Sequence, residues 1–494
     1  MEEAEAVLLV AIRSLFARYK NLSVQVKASI WFMFCSFIQK GIAFLTTPLF
    51  TRLMTSEQYG IYTLYLGWDS IVSVFATLNL ANQVLNNGFL RYKDNEHALS
   101  SSVLGLSNTA TTVLLIAYCV FREQVNSFTG LSTPYMLAMF SQYYFNMAFS
   151  IWAVRERYHF RYQAVVFVTL TQALASSLFG LVLVGLSREK ALARVMSIAV
   201  VNIAFGLVLH LRLVKLGKTF FSLEKWRYML KLDLPLIPHY LSMSLLSAAG
   251  RIMVGNICGA ASAAFYSVPY SAAATMNLLV GSINSSLIPW FYQRMEEGDY
   301  GLIRRKTSAI LVVVAATCLT PVLFGPELVM LLGSSEYLEG VWVMPPAAAG
   351  IYFIFLYTLF SNIELYYEKS FSIMVASLVA SVLNIVLNAV FIPDYGFVAA
   401  GFVSLASYAL LAVMHFLFAK RVCAAKGLKR MPVDGRAAFV ISFGVVIVSL
   451  AAELLYLNDA VRYVLITIVA ITLVHKRKTV LTAMSIEKAG GKIE

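Results

Sequence analysis

The sequence predicts an all-α protein that crosses a membrane many times. Of its 494 residues, 59% are hydrophobic and only 13% are charged, whereas soluble domains contain about 45–50% apolar and 25% charged residues. The apolar residues form runs of the length that a helix needs to cross a bilayer, about 20 residues. We count fourteen such runs, joined by short connections. They are residues 28–53, 61–86, 99–121, 130–154, 163–187, 192–213, 232–257, 263–291, 303–325, 341–366, 370–392, 396–419, 436–456 and 460–475.

The lysines and arginines predict the orientation of these spans. Alternate connections, together with both termini, hold 31 of the 39 basic residues, and the remaining connections hold six. Those six are Arg52, Arg122, Arg188, Lys190, Arg194 and Arg462. Because basic loops stay in the cytoplasm, both termini are predicted to be cytoplasmic. The net charge of +13 does not predict nucleic-acid binding, since the basic residues lie in short loops rather than on one solvated face.

The spans predict five regions of the chain. Residues 1–27 begin with acidic residues, unlike a secretory signal, and place Leu8, Ile12, Leu15 and Tyr19 on one face of an interfacial, cytoplasmic helix. Six spans (28–213) form an N-lobe, and residues 214–231 form a cytoplasmic linker. Six more spans (232–419) form a C-lobe, and residues 420–494 hold spans thirteen and fourteen and a tail. Two six-helix halves favour a parallel-repeat transporter with a cleft between its lobes.

Two cations and one acid lie inside predicted spans and away from the span ends. Lys40 and Arg251 are costly in a bilayer unless they face a bundle interior or a water-filled cavity. We expect them to offer successive sites for an anionic cargo, with Arg91 as a third cation of the cavity, although Lys40 could instead pair with Asp69 and Arg251 could snorkel outward. For Asp69 we favour a structural pair with Lys40 over the binding of a coupling proton or sodium ion.

Several polar side chains are candidates for a wet pathway. Asn79, Asn82, Gln83 and Asn86 fall near one face of span two, close to Arg91, and Asn384 and Asn388 share a face of span eleven. Such amides either join helices or line a path for sugar hydroxyls, and both interpretations stay open.

His239 and Glu364 are further candidates for ion coupling, but a structural role is the favoured interpretation of each. We expect His239 to be a packed neutral histidine rather than a titrating one, and Glu364 to be solvated at the membrane interface. The five cysteines are isolated, so no metal or cofactor is expected beyond a possible coupling H⁺ or Na⁺. The basic segment 420–430 would attract anionic lipid or, as the more specific alternative, bind the diphosphate head groups of the cargo.

Three stretches resemble one family. The segment KGIAFLTTPLFTRLMTSEQYGIYTLY (40–65) looks like the first helical hairpin of bacterial polysaccharide flippases, which are O-antigen and exopolysaccharide exporters of the multidrug/oligosaccharidyl-lipid/polysaccharide superfamily. LPLIPHYLSMSLLSAAGRIMVG (234–255) resembles their seventh helix, and IPDYGFVAAGFVSLASY (392–408) their helix eleven to twelve turn. Many relatives carry an acid where this chain has Gly250, so Arg251 lacks that neighbour.

The resemblance implies a V-shaped, two-lobed bundle in the bacterial inner membrane. It implies that the bundle moves polyprenyl-diphosphate-linked oligosaccharide to the outer leaflet by alternating access, as a monomer, with a polysaccharide polymerase and chain-length machinery as possible partners. One alternative function is that of a multidrug or cation exporter of the same superfamily, whose central cavity would be lined by acidic rather than cationic residues. The other is a membrane polymerase or ligase. We find no nucleophile–base constellation and no P-loop in the sequence, so an enzyme is not expected.

Overall fold

The computed structural model describes Tyr19 and residues 22–81 and 84–475. The predicted interfacial helix and the C-terminal tail lie almost wholly outside these residues. The described chain forms eighteen α-helices and short 3₁₀ segments. The helices are α1 (Val24–Leu53), α2 (Ser56–Ala76), α3 (Val84–Arg91), α4 (Glu96–Val120), α5 (Arg122–Thr129), α6 (Thr133–Tyr158), α7 (Tyr162–Leu186), α8 (Lys190–Gly217), α9 (Leu223–Asp233), α10 (Ile237–Cys258), α11 (Ala260–Ala274), α12 (Met276–Glu297), α13 (Tyr300–Leu319), α14 (Gly325–Leu332), α15 (Met344–Tyr366), α16 (Ser370–Ala425), α17 (Gly435–Leu455) and α18 (Asp459–His475).

The all-α membrane architecture predicted from the sequence is confirmed. Each of the fourteen predicted spans coincides with helix over most of its length. Nine helical stretches within the described ranges are long and apolar enough to cross a membrane by length and composition, and one of these is α16, which holds two predicted spans. The protein is therefore a multi-pass membrane protein.

The α1–α2 hairpin shows how local sequence sets a helix boundary. Thr55 caps α2: its hydroxyl accepts a hydrogen bond from the Gln58 backbone N–H at 3.2 Å, and the Gln58 side-chain oxygen accepts one from the Thr55 N–H at 3.4 Å. This reciprocal arrangement satisfies two donors that a helix start leaves unpaired. The predicted short turn after span one is formed by this cap.

The second predicted span is shorter than expected. Helix α2 ends at Ala76 rather than at residue 86, and Leu78 and Asn79 adopt positive φ angles of 49° and 51°. Backbone of this kind does not continue an α-helix. The chain resumes helical structure only at α3.

Helix α16 contains two spans that fold back on each other. Its 56 residues would extend about 84 Å if straight, far beyond the roughly 30 Å of a hydrocarbon core. Gly396, with φ 66° and ψ −160°, interrupts the helical backbone. Asn384 then donates a hydrogen bond to Ser407 at 3.0 Å, although a straight helix would hold these residues about 35 Å apart. The turn predicted near residue 396 is therefore present.

The bundle has two distinguishable ends. We call the end that holds the α1–α2 and α10–α11 turns the turn end, and the end that holds α9 the linker end. Helix α2 packs against both α10 and α11, and α1 packs against α7 and α14. The boundaries predicted for the two lobes remain predictions, but helices 1–8 and 10–16 contact each other chiefly through α2.

Candidate translocation site

The turn end is closed by contacts between the two predicted lobes. Arg52 donates to the carbonyl oxygens of Met330 (3.1 Å) and Leu331 (3.3 Å) at the end of α14. Thr51 donates to the Leu332 carbonyl at 2.7 Å. Arg52, which the sequence analysis only counts among the residues of a connection, thus binds with its guanidinium the carbonyl end of a helix, where a cation is favoured.

Two glycines of α2 allow the close approach at this end. A Cβ on Gly60 would lie 1.7 Å from the Ala260 carbonyl oxygen, and one on Gly67 would lie 2.8 Å from the Ile252 side chain. Asn256 of α10 also donates to the Phe128 carbonyl at 3.2 Å. Within the described ranges, every hydrogen bond between residues 24–217 and 237–425 lies at this end. The cleft predicted between the lobes would therefore open toward the linker end.

Arg251 lies at the base of this closure. Its side-chain carbons pack over Gly67 of α2, and its guanidinium acts electrostatically on Tyr59, Tyr266 and Tyr270. It forms no ion pair with a described residue, and its Nε is buried without a hydrogen-bond partner. Arg251 is therefore a cation without a counter-ion among the described residues, where α10 meets α2.

Lys40 is also unpaired, but it lies elsewhere. Its side chain is exposed midway along α1, and no residue in the described part of the chain forms an ion pair with it. Counting along the helices, Lys40 is about 20 Å and Arg251 about 10 Å from the turn end. The two cations therefore occupy different depths.

Asp69 does not pair with Lys40, so the favoured structural pair is wrong. Tyr143 of α6 donates its hydroxyl to the Asp69 carboxylate at 2.9 Å and also contacts the Asp69 carbonyl at 3.0 Å. The reason is that α2 turns this residue toward α6 and away from α1. The alternative interpretation, that Asp69 binds a coupling proton or sodium ion, stays a prediction.

A chain of amides continues from this region into the bundle. Gln142 donates to the Tyr65 hydroxyl at 2.6 Å, Asn202 donates to Gln142 at 2.7 Å, and Gln172 donates to Asn202 at 2.8 Å. These bonds link α2, α6, α7 and α8. Sequence reasoning missed this network because its members lie singly on four different helices.

Arg194 is a third intramembrane cation that sequence reasoning missed. It was counted with the loop residues, yet it is 8% exposed and donates to the Ser176 carbonyl at 2.9 Å. Its guanidinium lies 4.1 Å from the centre of the Phe50 ring, a cation–π geometry. The signal was available, since Arg194 falls inside the span predicted to begin at residue 192.

The two predicted amide clusters differ in the structure. Asn79 lies in the irregular segment after α2 and Asn86 is exposed on α3, so the shared helical face is wrong, and Asn82 and Gln83 lie outside the described residues. Asn384 and Asn388 are fully buried, and Asn388 donates to Asn384 at 2.9 Å. The second cluster therefore joins the two halves of α16 and does not line a cavity.

Glu364 is buried rather than solvated, which corrects the expectation for it. It is 0% exposed, and His415, at 1% exposed, lies with Nδ1 2.6 Å from the Glu364 Oε1. Ser372 donates to the other carboxylate oxygen, and Tyr357 stacks on the imidazole ring of His415. His239 contacts Ser377 at 3.0 Å and is a packed residue.

The remaining candidates lie toward the linker end. Arg91 stacks over Tyr228 of α9 at 4.8 Å and so contacts the linker rather than Lys40 or Arg251. Asp233, which sequence reasoning missed, is 0% exposed and neither carboxylate oxygen has a hydrogen-bond partner among the described residues. In the described part of the chain, no group of three or more His, Cys, Asp or Glu residues could hold a metal ion.

The fold is that of a membrane transporter. The chain matches the lipid II flippase MurJ in an inward closed conformation with a TM-score of 0.65 and 13% identity, over 92% of this chain and 100% of that one. It matches a multidrug resistance MATE family transporter of the MOP superfamily, in an inward-facing conformation, with a TM-score of 0.57 and 12% identity, over 78% of this chain and 95% of that one. A MATE structure in complex with MaL6 matches with a TM-score of 0.55 and 12% identity, over 82% and 97% of the two chains.

The family model for polysaccharide biosynthesis proteins matches residues 26–295, more than half of the chain. The protein therefore belongs to the polysaccharide biosynthesis protein family, and the resemblance seen in the sequence is confirmed. No curated protein sequence matches the chain.

Proposed function

We propose that this protein is a flippase that moves polyprenyl-diphosphate-linked oligosaccharide from the cytoplasmic to the outer leaflet of a bacterial inner membrane. The observation that carries the proposal is that two cations inside spans, Lys40 and Arg251, form neither an ion pair nor a hydrogen bond with a described residue, unlike Arg194. An unpaired cation within a bilayer is costly, and an anionic cargo provides the missing counter-charge. Family membership supports the same class of cargo.

The depths of the two cations suggest an order of use. With the linker end toward the cytoplasm, cargo enters the cleft there and its diphosphate meets Lys40 first. Arg251 lies closer to the turn end, where Gly60 and Gly67 allow the lobes to approach each other closely. Separation of these contacts would open the cleft to the outer leaflet, which is the alternating-access cycle.

The polar face of α12 suits the glycan part of this cargo. Ser282, Ser285 and Ser286 are exposed, and their hydroxyls bond only to carbonyls of their own helix. Helix α12 packs against α13 and α15, which leaves this face uncovered by the other lobe. Exposed hydroxyls at i, i+3 and i+4 spacing are suited to sugars rather than to lipid tails.

Ion-gradient coupling completes the proposal. Asp69 is held by one tyrosine hydroxyl and has no basic partner among the described residues, so it could exchange a proton or bind a sodium ion. Asp233 offers a second buried acid with unpartnered oxygens. The likeness to multidrug transporters shows the fold alone and does not favour a drug as cargo.

The test is flipping of a fluorescent polyprenyl-diphosphate sugar in proteoliposomes. We expect Lys40→Gln and Arg251→Gln each to lower the initial rate at least tenfold, and Arg122→Gln, which removes an exposed charge near the turn end, to leave it unchanged. No flipping of any lipid-linked sugar by the unaltered protein would overturn the function. Flipping that survives both charge-removing substitutions would overturn the role of the cations.

A further inference from the structure

A large amphipathic groove lies outside the cleft, at the linker end of the second half of the chain. It is a cavity of 1270 Å³ bordered by α13, α15, the second half of α16, α17 and the connection between α16 and α17. It is separate from Lys40, Arg251 and the serine face of α12, none of which lines it. Nothing in the translocation pathway proposed above uses this groove.

One part of the groove is apolar. Aromatic and aliphatic side chains line it, and several of them are among the most exposed apolar residues of the protein: Val413 (53% exposed), Phe439 (72%), Val440 (66%) and Phe443 (61%). Leu356 and Phe360 of α15 also line this part. This part matches a fatty acyl chain.

The other part is strongly cationic. Five basic side chains line it and only one acid does; the bases are Arg304, Lys420, Lys429, Arg430 and Arg436. None of the five forms an ion pair with a described residue. The acid, Asp434, is already engaged, because its carboxylate accepts the backbone N–H groups of Arg436 (2.9 Å) and Ala437 (3.2 Å) as the cap of α17.

The guanidinium of Arg304 is fixed by one hydrogen bond and has further donors available. Its guanidinium donates to the Met431 carbonyl at 2.6 Å, which fixes the connecting loop against α13, while its Nε is buried without a hydrogen-bond partner. A guanidinium anchored at one nitrogen presents its remaining donors to an anion in a set direction.

We propose that this groove is a binding site for one anionic phospholipid of the leaflet at the linker end. An acyl chain lies along Val413, Phe439 and Phe443, and the phosphate lies among Arg304, Lys420, Arg430 and Arg436. Basic pockets between transmembrane helices on the cytoplasmic side bind anionic lipid head groups by this combination. The C-terminal tail is a poor occupant, since residues 476–494 carry five basic and two acidic residues and would be repelled. The proposal does not depend on the identity of the cargo.

Matched triple variants test the role of the charge. Lys420→Gln/Arg430→Gln/Arg436→Gln removes three groove cations, and Lys215→Gln/Arg305→Gln/Arg421→Gln removes three exposed cations that do not line the groove. Binding is measured by native mass spectrometry of the full chain titrated with phosphatidylglycerol or phosphatidylcholine. Each cation near the membrane surface raises the affinity for an anionic lipid about fivefold, so the triple variant in the groove should weaken phosphatidylglycerol binding roughly a hundredfold. The control triple should change it less than fivefold.

A steric pair tests the role of the apolar part. Val413→Trp fills the groove, and Val390→Trp places the same side chain at a position of similar exposure, 55%, on the first half of α16. Only Val413→Trp should weaken phosphatidylglycerol binding, by at least tenfold. This pair decides the matter if the groove triple unfolds.

Four results would overturn the proposal. Equal loss in the two triples would show general surface charge, and equal affinity for phosphatidylcholine would show an ordinary annular lipid. Displacement of phosphatidylglycerol by millimolar inorganic phosphate would show a phosphate site without an acyl subsite. Full binding by Val413→Trp would contradict the placement of the chain.

Discussion

Asp69 shows how one hydrogen bond separates two roles that a sequence leaves open. Tyr143 holds its carboxylate at 2.9 Å, and no basic residue within the described ranges pairs with it. A purely structural acid inside a membrane is usually paired with a base. Asp69, which has a hydroxyl partner but no basic one among the described residues, therefore stays a candidate for the proposed ion coupling.

We expect Asp69→Asn to abolish the response of flipping to an imposed proton or sodium gradient. The amide oxygen can still accept the Tyr143 hydroxyl, so the thermal unfolding temperature should stay within a few degrees, while the side chain can no longer carry charge. Rates in proteoliposomes with and without a gradient provide the measurement. Tyr143→Phe removes the hydrogen bond but keeps the acid and should retain gradient stimulation. A full gradient response by Asp69→Asn would exclude this residue as the coupling site.

Among the residues, Arg194 and Arg251 show why a charge inside a span needs its neighbours identified. Arg194 donates to the Ser176 carbonyl and to the Ser197 hydroxyl and lies over the face of Phe50, although its Nε is buried without a hydrogen-bond partner. Arg251 donates no hydrogen bond to a described residue, and its Nε is likewise buried without a partner. More donors of Arg251 than of Arg194 therefore remain for an anion.

At the scale of helices, the approach of α2 to α10 and α11 depends on missing side chains. The Cβ of any residue but glycine at position 60 would collide with the Ala260 carbonyl oxygen, which is backbone and cannot rotate away. Small residues at helix interfaces permit this type of close contact in membranes. The turn end can therefore close only because Gly60 is a glycine.

We predict that Gly60→Ala shifts the protein away from the state closed at the turn end. Forced separation of α2 and α11 should cost about 1–3 kcal/mol, as for an overpacked core. Closure can be measured as the disulfide cross-linking yield of a Phe128→Cys/Asn256→Cys pair, since these residues are hydrogen-bonded across the interface. Gly41→Ala is the control because no atom lies within 4 Å of its added Cβ. An unchanged yield in Gly60→Ala would mean that other contacts hold this end closed.

Helices α15 and α16 are joined by the buried Glu364–His415 pair. Both side chains are almost completely excluded from solvent, and the carboxylate also accepts a hydrogen bond from Ser372. Removal of one member leaves the other buried without its partner, which is more costly than removal of both.

We expect His415→Ala to lower the free energy of unfolding by about 3 kcal/mol or more. The double variant Glu364→Gln/His415→Ala should be less destabilised than the sum of the two single variants, by at least about 0.5 kcal/mol. Unfolding in a mixed-micelle denaturant titration gives these values. His239→Ala loses one hydrogen bond at a half-buried site and should cost only about 1 kcal/mol. Strict additivity of the two single variants would show that the pair does not act as a unit.

At the scale of the whole molecule, the two predicted lobes contact each other at the turn end. The positive-inside rule predicts that the linker end, with α9 and the basic connections, faces the cytoplasm. Under the function proposed above, a molecule closed at the turn end is the one that would receive cargo made inside the cell.

The orientation has a direct test. In a cysteine-free background, Glu123→Cys lies at the turn end and Lys426→Cys at the linker end, and both positions are exposed. We expect a membrane-impermeant maleimide to label Glu123→Cys in intact cells and Lys426→Cys only after permeabilisation. The reverse pattern would invert the topology and the proposed direction of transport.

The sequence by itself determined the all-α membrane architecture, the approximate positions of the spans and the family. The positions of the spans can be predicted from short stretches of sequence, because a helix needs about the same number of apolar residues to cross a bilayer wherever it lies in the bundle. Local turn signals were also readable, as Thr55 and Gly396 show.

Only the tertiary structure decided which charges have partners. Lys40 and Asp69 are one helix apart in sequence, yet Asp69 bonds to Tyr143, which is 74 residues away along the chain. Glu364 is buried because His415 reaches it from the second half of α16, after the chain has turned at Gly396. The partner of a side chain depends on which helices become neighbours and how each is rotated about its axis. The pattern of apolar residues in a membrane helix constrains that rotation weakly, because lipid and helix interfaces are both apolar.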